Sequence, residues 1–281
     1  IQTAKTIGRL DCECPIATLR HSHFPHRCDA AAFAGADLVY HLAGIITISG
    51  GRARLLHEVN VVGARNVGQA CLNAGVRRLV YTSSVHALEE PPHGVPVCET
   101  TEFRPEALDG DYAQSKARAS IEILRCVEQG LDAVMVFPSG VIGPYDFRLS
   151  EMGHLFVDFA RGRLKAYVDG AYDFVDVRDV VAGLTLAAEK GRRGEGYILS
   201  GERISVRGLL ALLERTTGVR AKAQDDFKAL GLMLKAFYIE SLKPSDKSAE
   251  ELRAMGMLDV ATYTQLQAAD AMRDAAQNPS G

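Results

Sequence analysis

The chain has no apolar stretch approaching the ~20 residues that a helix needs to cross a bilayer, so no membrane span is expected. It has no marked excess of one charge. Against 35 acidic side chains stand 32 basic ones, a formal net of -3, and nucleic acid is not an expected partner. Its six cysteines follow no small-scaffold spacing, which argues against a disulfide framework and for a reduced, cytoplasmic setting. No charged-then-apolar opening marks a signal peptide. The first residue is Ile1 rather than Met, so the N-terminus is read as missing or processed. Internal repeats and low-complexity tracts are also absent. What remains is ordinary for a globular protein, 47% hydrophobic and 24% charged over 281 residues, enough for one large or two modest domains.

From about residue 29 the sequence alternates between short apolar runs and helical spacing. Residues 37–42, 78–82, 133–137 and 197–199 read as buried strands. Residues 54–74, 112–129, 155–160, 177–190 and 206–216 read as helices. Gly75 and Gly130 close two of them and Ser205 caps another. Strands separated by helices imply parallel βαβ units, hence an α/β fold with a doubly wound, Rossmann-like parallel sheet. After about Ala223 the chain turns mainly helical. The expected division is residues 1–28 unassigned, an α/β domain over 29–222 and a helical tail over 223–281.

Tyr112-Ala-Gln-Ser-Lys116 carries the chemical signal. On a helix Tyr112 and Lys116 are one turn apart on one face, and an ammonium near a phenol lowers the phenol's pKa toward neutrality. Tyr112 then becomes a usable general acid or base. The spacing also suits a plain surface pair. Leu79-Val-Tyr-Thr-Ser-Ser84 is a strand whose C-terminal end runs into two hydroxyls, and open α/β sheets bind ligands at that end. Ser84 can therefore bond a substrate oxygen there, or Ser83 and Ser84 can simply satisfy loop backbone. His41-Leu-Ala-Gly44 ends a second strand with small residues that admit a flat ligand. Phe137-Pro-Ser-Gly-Val-Ile-Gly-Pro144 ends a third in a turn stiffened by proline.

The segments HLAG, EVNVVGARNV, RRLVYTSSVHAL, YAQSK, VFPSGVIGP and YDFVDVRDVV, in that order, resemble the extended short-chain dehydrogenase/reductases. They look most like the dihydroflavonol-reductase-like branch of the NAD-dependent epimerase/dehydratase family, over residues 29–219. The resemblance implies a nicotinamide-dependent oxidoreductase, using NAD or NADP on a small alcohol or carbonyl substrate, and a homo-oligomer is admitted. It implies that Ser84 orients the substrate oxygen, that Tyr112 transfers the proton, and that Lys116 tunes Tyr112 and holds the nicotinamide ribose. Ala43 and Gly44 would line the cofactor cleft, and Pro138 and Val141 would contact the nicotinamide end. Asn60 matches a family asparagine, as a cofactor-side residue or a helix–helix hydrogen bond. Asp176 and Asp179 read as structural.

The family opens with a strand, a G-x-x-G-x-x-G turn and a helix facing the pyrophosphate. Here Gly8 is the only glycine before Gly35, so the fold is expected to be incomplete in its N-terminal half, with exposed sheet edge and weak cofactor binding. Cys12, Cys14, His21, His23, His26 and Cys28 supply zinc-type ligands in a spacing that fits no recognised module, and no metal is assigned. The tail, with Leu230 to Leu242 and Tyr263 to Gly281, is similar to the end of a bacterial SPFH-type (stomatin/prohibitin-like) domain. The rival to an enzyme is a non-catalytic fragment or fusion scaffold that assembles through these helices.

Overall fold

The computed structural model describes residues 5–7, 17–18, 30–47, 52–92, 95–163 and 170–220. The N-terminal cysteines and histidines and the whole tail from residue 223 lie outside the described residues. So does the expectation that the tail is helical and SPFH-like. No helix among the described residues is long and apolar enough to cross a membrane.

The described residues divide into two units. The first holds a six-stranded sheet in the order β2-β1-β3-β4-β5-β8. Its strands are β1 (Lys5–Ile7), β2 (Ala17–Thr18), β3 (Leu38–His41), β4 (Arg78–Thr82), β5 (Ala133–Pro138) and β8 (Gly196–Leu199). β3, β4 and β5 run parallel, with His41 opposite Tyr81 and Tyr81 opposite Met135. The edge of β3 is not left bare. β1 pairs with it antiparallel, and β2 pairs antiparallel with β1. The doubly wound, Rossmann-like α/β class is borne out. The sheet departs from the all-parallel expectation at this edge, where two short segments satisfy backbone groups that would otherwise face solvent.

Helices cover the sheet because its strands are apolar on both faces. On β3, successive side chains alternate between faces. Tyr40 hydrogen-bonds Thr185 of α5 (Val177–Lys190), whereas His41 faces the side of α3 (Asp111–Glu128). The segment expected as one helix over 54–74 comprises α1 (Ala53–Leu56), a π-helical stretch His57–Val62 and α2 (Gly63–Ala74). Gly75 closes it in the left-handed conformation, φ 66°. α2 meets α3 at Gly68, where an added Cβ would lie 2.7 Å from Cys126 Sγ. On α3 the buried Ala119 lies on the same face as Ile123 and Cys126, four and seven residues before them.

The second unit has a three-stranded sheet in the order β6-β7-β9: β6 (Gly140–Ile142), β7 (Ala171–Asp176) and β9 (Glu202–Ser205). With α4 (Glu151–Ala160) and α6 (Val206–Thr217) it encloses Ile142, Phe159, Phe174, Ile204, Leu209, Leu210 and Leu213. Ser205 caps α6 as expected, its Oγ accepting from Gly208 N–H at 3.0 Å. Asp176 accepts from Arg178 N–H at 2.7 Å and pairs with the Arg178 guanidinium at 3.2 Å, which pins the start of α5. This agrees with a structural reading of Asp176.

Candidate active site

The site grows from the C-terminal end of β4. Ser83 N–H still bonds Val136 O at 2.8 Å, continuing the ladder to β5. Ser84 then leaves the sheet and caps a short 3-10 turn, Val85–Ala87, its Oγ accepting from His86 N–H at 3.3 Å. The Ser84 side chain also hydrogen-bonds the Tyr112 phenol, which stands in the first turn of α3. The His86 ring sits edge-on to the Tyr112 ring, centroids 6.0 Å apart. Burial pulls His86 down to about 4, so its imidazole is neutral at physiological pH.

Lys116 lies one turn further along α3 and is buried. Its Nζ donates to Thr82 O, the last carbonyl of β4, at 2.9 Å. An ammonium carries three donors, so two remain. Burial brings its pKa down to about 7. Tyr112 moves the other way. Burial raises it to about 12, against a smaller lowering by the Ser84 bond. The expectation that Lys116 drags the phenol toward neutrality is therefore not met. Both groups are buried, and desolvation is the largest influence on each.

Asn60 is buried, and its amide is well used. Its Oδ1 accepts from Ile45 N–H at 2.8 Å, and Nδ2 donates to Ile45 O at 3.0 Å and to Ser115 Oγ at 3.0 Å. Ser115 Oγ in turn donates to Tyr112 O at 2.7 Å. Asn60 thus ties the segment after β3 to α3. Of the two readings open for it, the geometry supports a structural bond, reaching a loop as well as a helix. Asn60→Ala strands several of these groups and should lower unfolding free energy by ~2–4 kcal/mol. A urea titration showing a loss under ~0.5 kcal/mol would refute the splint.

The residues present fit the nicotinamide end of a dinucleotide. Ala43 and Gly44 follow β3. A Cβ on Gly44 would lie 3.4 Å from Asn60 Oδ1 and 3.8 Å from Lys116 Nζ, ordinary contact distances that place this backbone beside the amine. Pro138 ends β5 and is buried, while Val141 on β6 is 40% exposed. Among the described residues no cluster of His, Cys, Asp and Glu could hold a metal ion.

Sequence reasoning passed over His41, Tyr81 and His86 as chemistry. The first two were visible as the residues facing α3 from adjacent strands, and the third as the second residue past Ser84.

A model of the NAD dependent epimerase/dehydratase family matches residues 25–200. The chain belongs to that family. It is 41% identical over 187 residues to the sterol demethylase protein B of Methylococcus capsulatus, covering 66% of this chain and 57% of that protein. It is 38% identical over 191 residues to a putative dihydroflavonol 4-reductase of Synechocystis, covering 66% and 56%. The chain thus spans little more than half the length of these curated relatives. Among solved structures, gox2253 superposes with a TM-score of 0.75 at 30% identity, over 89% of this chain and 81% of that one. NAD is the cofactor of the family, as its name states.

Removing the buried charge tests the energetics of the site. The unfolded chain holds the Lys116 proton up to about 10.5, while the folded chain releases it near 7. Folding therefore loses stability fully below pH 7, and the loss fades as pH rises to 10.5. At ~1.4 kcal/mol per tenfold, the protonated amine costs on the order of 5 kcal/mol, net of its bond to Thr82 O. Lys116→Met should raise the denaturation midpoint at pH 6 and lose that advantage above about pH 10. Equal stability of the two chains at pH 6 would contradict the burial argument.

Proposed function

We propose that this chain is the catalytic part of an NAD-dependent oxidoreductase that interconverts a small alcohol and its carbonyl compound. The observation that carries the reading is the Ser84–Tyr112 hydrogen bond at the end of β4, with the Lys116 amine at the same strand end. When bound, the nicotinamide would accept or supply the hydride. Every other task falls to this chain. The Ser84 hydroxyl holds the substrate oxygen, and the Tyr112 phenol gives that oxygen a proton in reduction or takes one in oxidation. The two remaining Lys116 donors suit the ribose hydroxyls next to the nicotinamide, which would supply the solvation that burial removes. Ala43, Gly44 and Pro138 flank that end of the cofactor, and Asn60 holds the geometry.

Two relatives carry the names of a sterol demethylase protein and a dihydroflavonol 4-reductase, which favours apolar ring alcohols and ketones as the first substrates to try. The reading is tested by following oxidation of NADH and NADPH with a panel of ring ketones, and reduction of NAD and NADP with the matching alcohols. Turnover supports it. No turnover in a chain shown to bind the cofactor would leave the non-catalytic scaffold as the better reading, with assembly through residues 223–281 then checked by light scattering. That rival draws its support from the sequence, where no glycine turn precedes Gly35.

A further inference from the structure

Lys116 is a buried amine, and among the described residues no carboxylate pairs with it. Buried ammonium groups ordinarily require a compensating partner. One partner is the Thr82 carbonyl at 2.9 Å. The amine also meets an aromatic face, Nζ standing 5.2 Å from the centroid of the Tyr81 ring. Tyr81 is 1% exposed and sits opposite His41 across β3 and β4, with ring centroids 5.4 Å apart. The two rings and the amine form a column on the α3 face of the sheet.

We propose, on the basis of the oxidoreductase reading above, that Tyr81 is a positioning residue whose ring face holds the Lys116 ammonium over β4 where a carboxylate would otherwise be needed. A ring face attracts a cation within about 6 Å, and most strongly where water is excluded. A carboxylate would pull the amine toward itself and cancel its charge. The ring supports the charge and leaves two N–H donors available. The tyrosine hydroxyl is not what matters, since it interacts with the Ser83 side chain and not with the amine. The titratable groups facing the amine do not compete with the ring. Burial and the neighbouring Lys116 hold His41 near 3, hence neutral, and burial raises Tyr81. Tyr112 stands one turn back on α3 and is raised to about 12.

The test reads Lys116 directly and needs neither cofactor nor substrate. The chain as it stands is labelled with 13C-lysine, the Lys116 Cε resonance is assigned by its loss in Lys116→Met, and its chemical shift is followed against pH. Tyr81→Phe keeps the ring face and should leave the titration midpoint where it is. Tyr81→Leu should move the midpoint down by about half to one pH unit, because the charged form loses its support. Pentafluorophenylalanine at position 81 keeps the shape and reverses the ring quadrupole. It should move the midpoint down at least as far as leucine, which covers the case that Tyr81→Leu fails to fold. An unmoved midpoint with the fluorinated ring, or an equal shift in Tyr81→Phe, overturns the proposal. If the midpoints behave as stated but no alcohol or ketone is turned over, the oxidoreductase reading fails while the ring support stands.

Discussion

Tyr112→Phe should reduce kcat by about 10²–10⁴-fold while leaving cofactor affinity and the fold unchanged, the range expected when a positioned general acid or base is deleted. The change removes one oxygen and leaves the ring, so its edge-on contact with His86 survives. What disappears is the proton and its bond to Ser84. The effect should fall on kcat rather than KM, because the proton moves only as the carbonyl bond is made or broken. Stopped-flow measurement of nicotinamide oxidation in the two chains, with circular dichroism as the fold control, decides it. A loss under about threefold would remove Tyr112 from the chemistry, and an equal rise in KM would make it a binding group only.

The second large effect concerns the other end of the cofactor. In this fold class the pyrophosphate is held by backbone N–H groups at a helix N-terminus that opens with a glycine turn. The sequence offers Gly8 alone before Gly35. Two lost bonds to a charged group, at ~1.5–3 kcal/mol each, weaken binding on the order of 10²–10⁴-fold. We expect calorimetry on the 281 residues to give NAD affinities in the millimolar range. Joining a family-like strand, G-x-x-G-x-x-G turn and helix ahead of Asp29 should restore micromolar affinity, and with it the turnover that Tyr112→Phe then removes. Micromolar binding by the ungrafted chain would mean that residues 1–28 contribute a phosphate site the sequence does not announce.

The larger sheet was legible where the signal is local. β3, β4 and β5 are short apolar runs with clear stops, and α3 has regular spacing over 18 residues. Gly75 and Ser205 marked helix ends that the structure places within a residue of expectation. The smaller sheet was not legible. Residues 140–142 read as a turn, and β7 finds its antiparallel partner, β9, some thirty residues later. Such pairing leaves little trace in a window of ten residues. The same limit applies within the site. The four-residue spacing put Tyr112 and Lys116 on one face, and the two strand ends brought Ser84 and Gly44 nearby. Nothing local said that the amine would end on the Thr82 carbonyl and over the Tyr81 ring, because those contacts join residues 34 and 35 positions apart. Hence the direction of the Tyr112 shift was misjudged. The sequence shows which charges are neighbours, and only the packing shows how much water they have lost.

The π-helical stretch His57–Val62 acts as a spacer in the angular sense. One residue more than a regular helix needs is accommodated there, and α2 resumes in register beyond it. Each residue of an α-helix turns the chain by about 100°, so forcing these same residues into a regular helix would rotate its two halves against each other by about that amount. Either Asn60 would swing away from Ile45 and Ser115, or Gly68 would swing away from Cys126. The helix can serve both neighbours at once only because it is locally one residue too long. A further insertion should therefore be tolerated worse in these six residues than a substitution at any one of them other than Asn60.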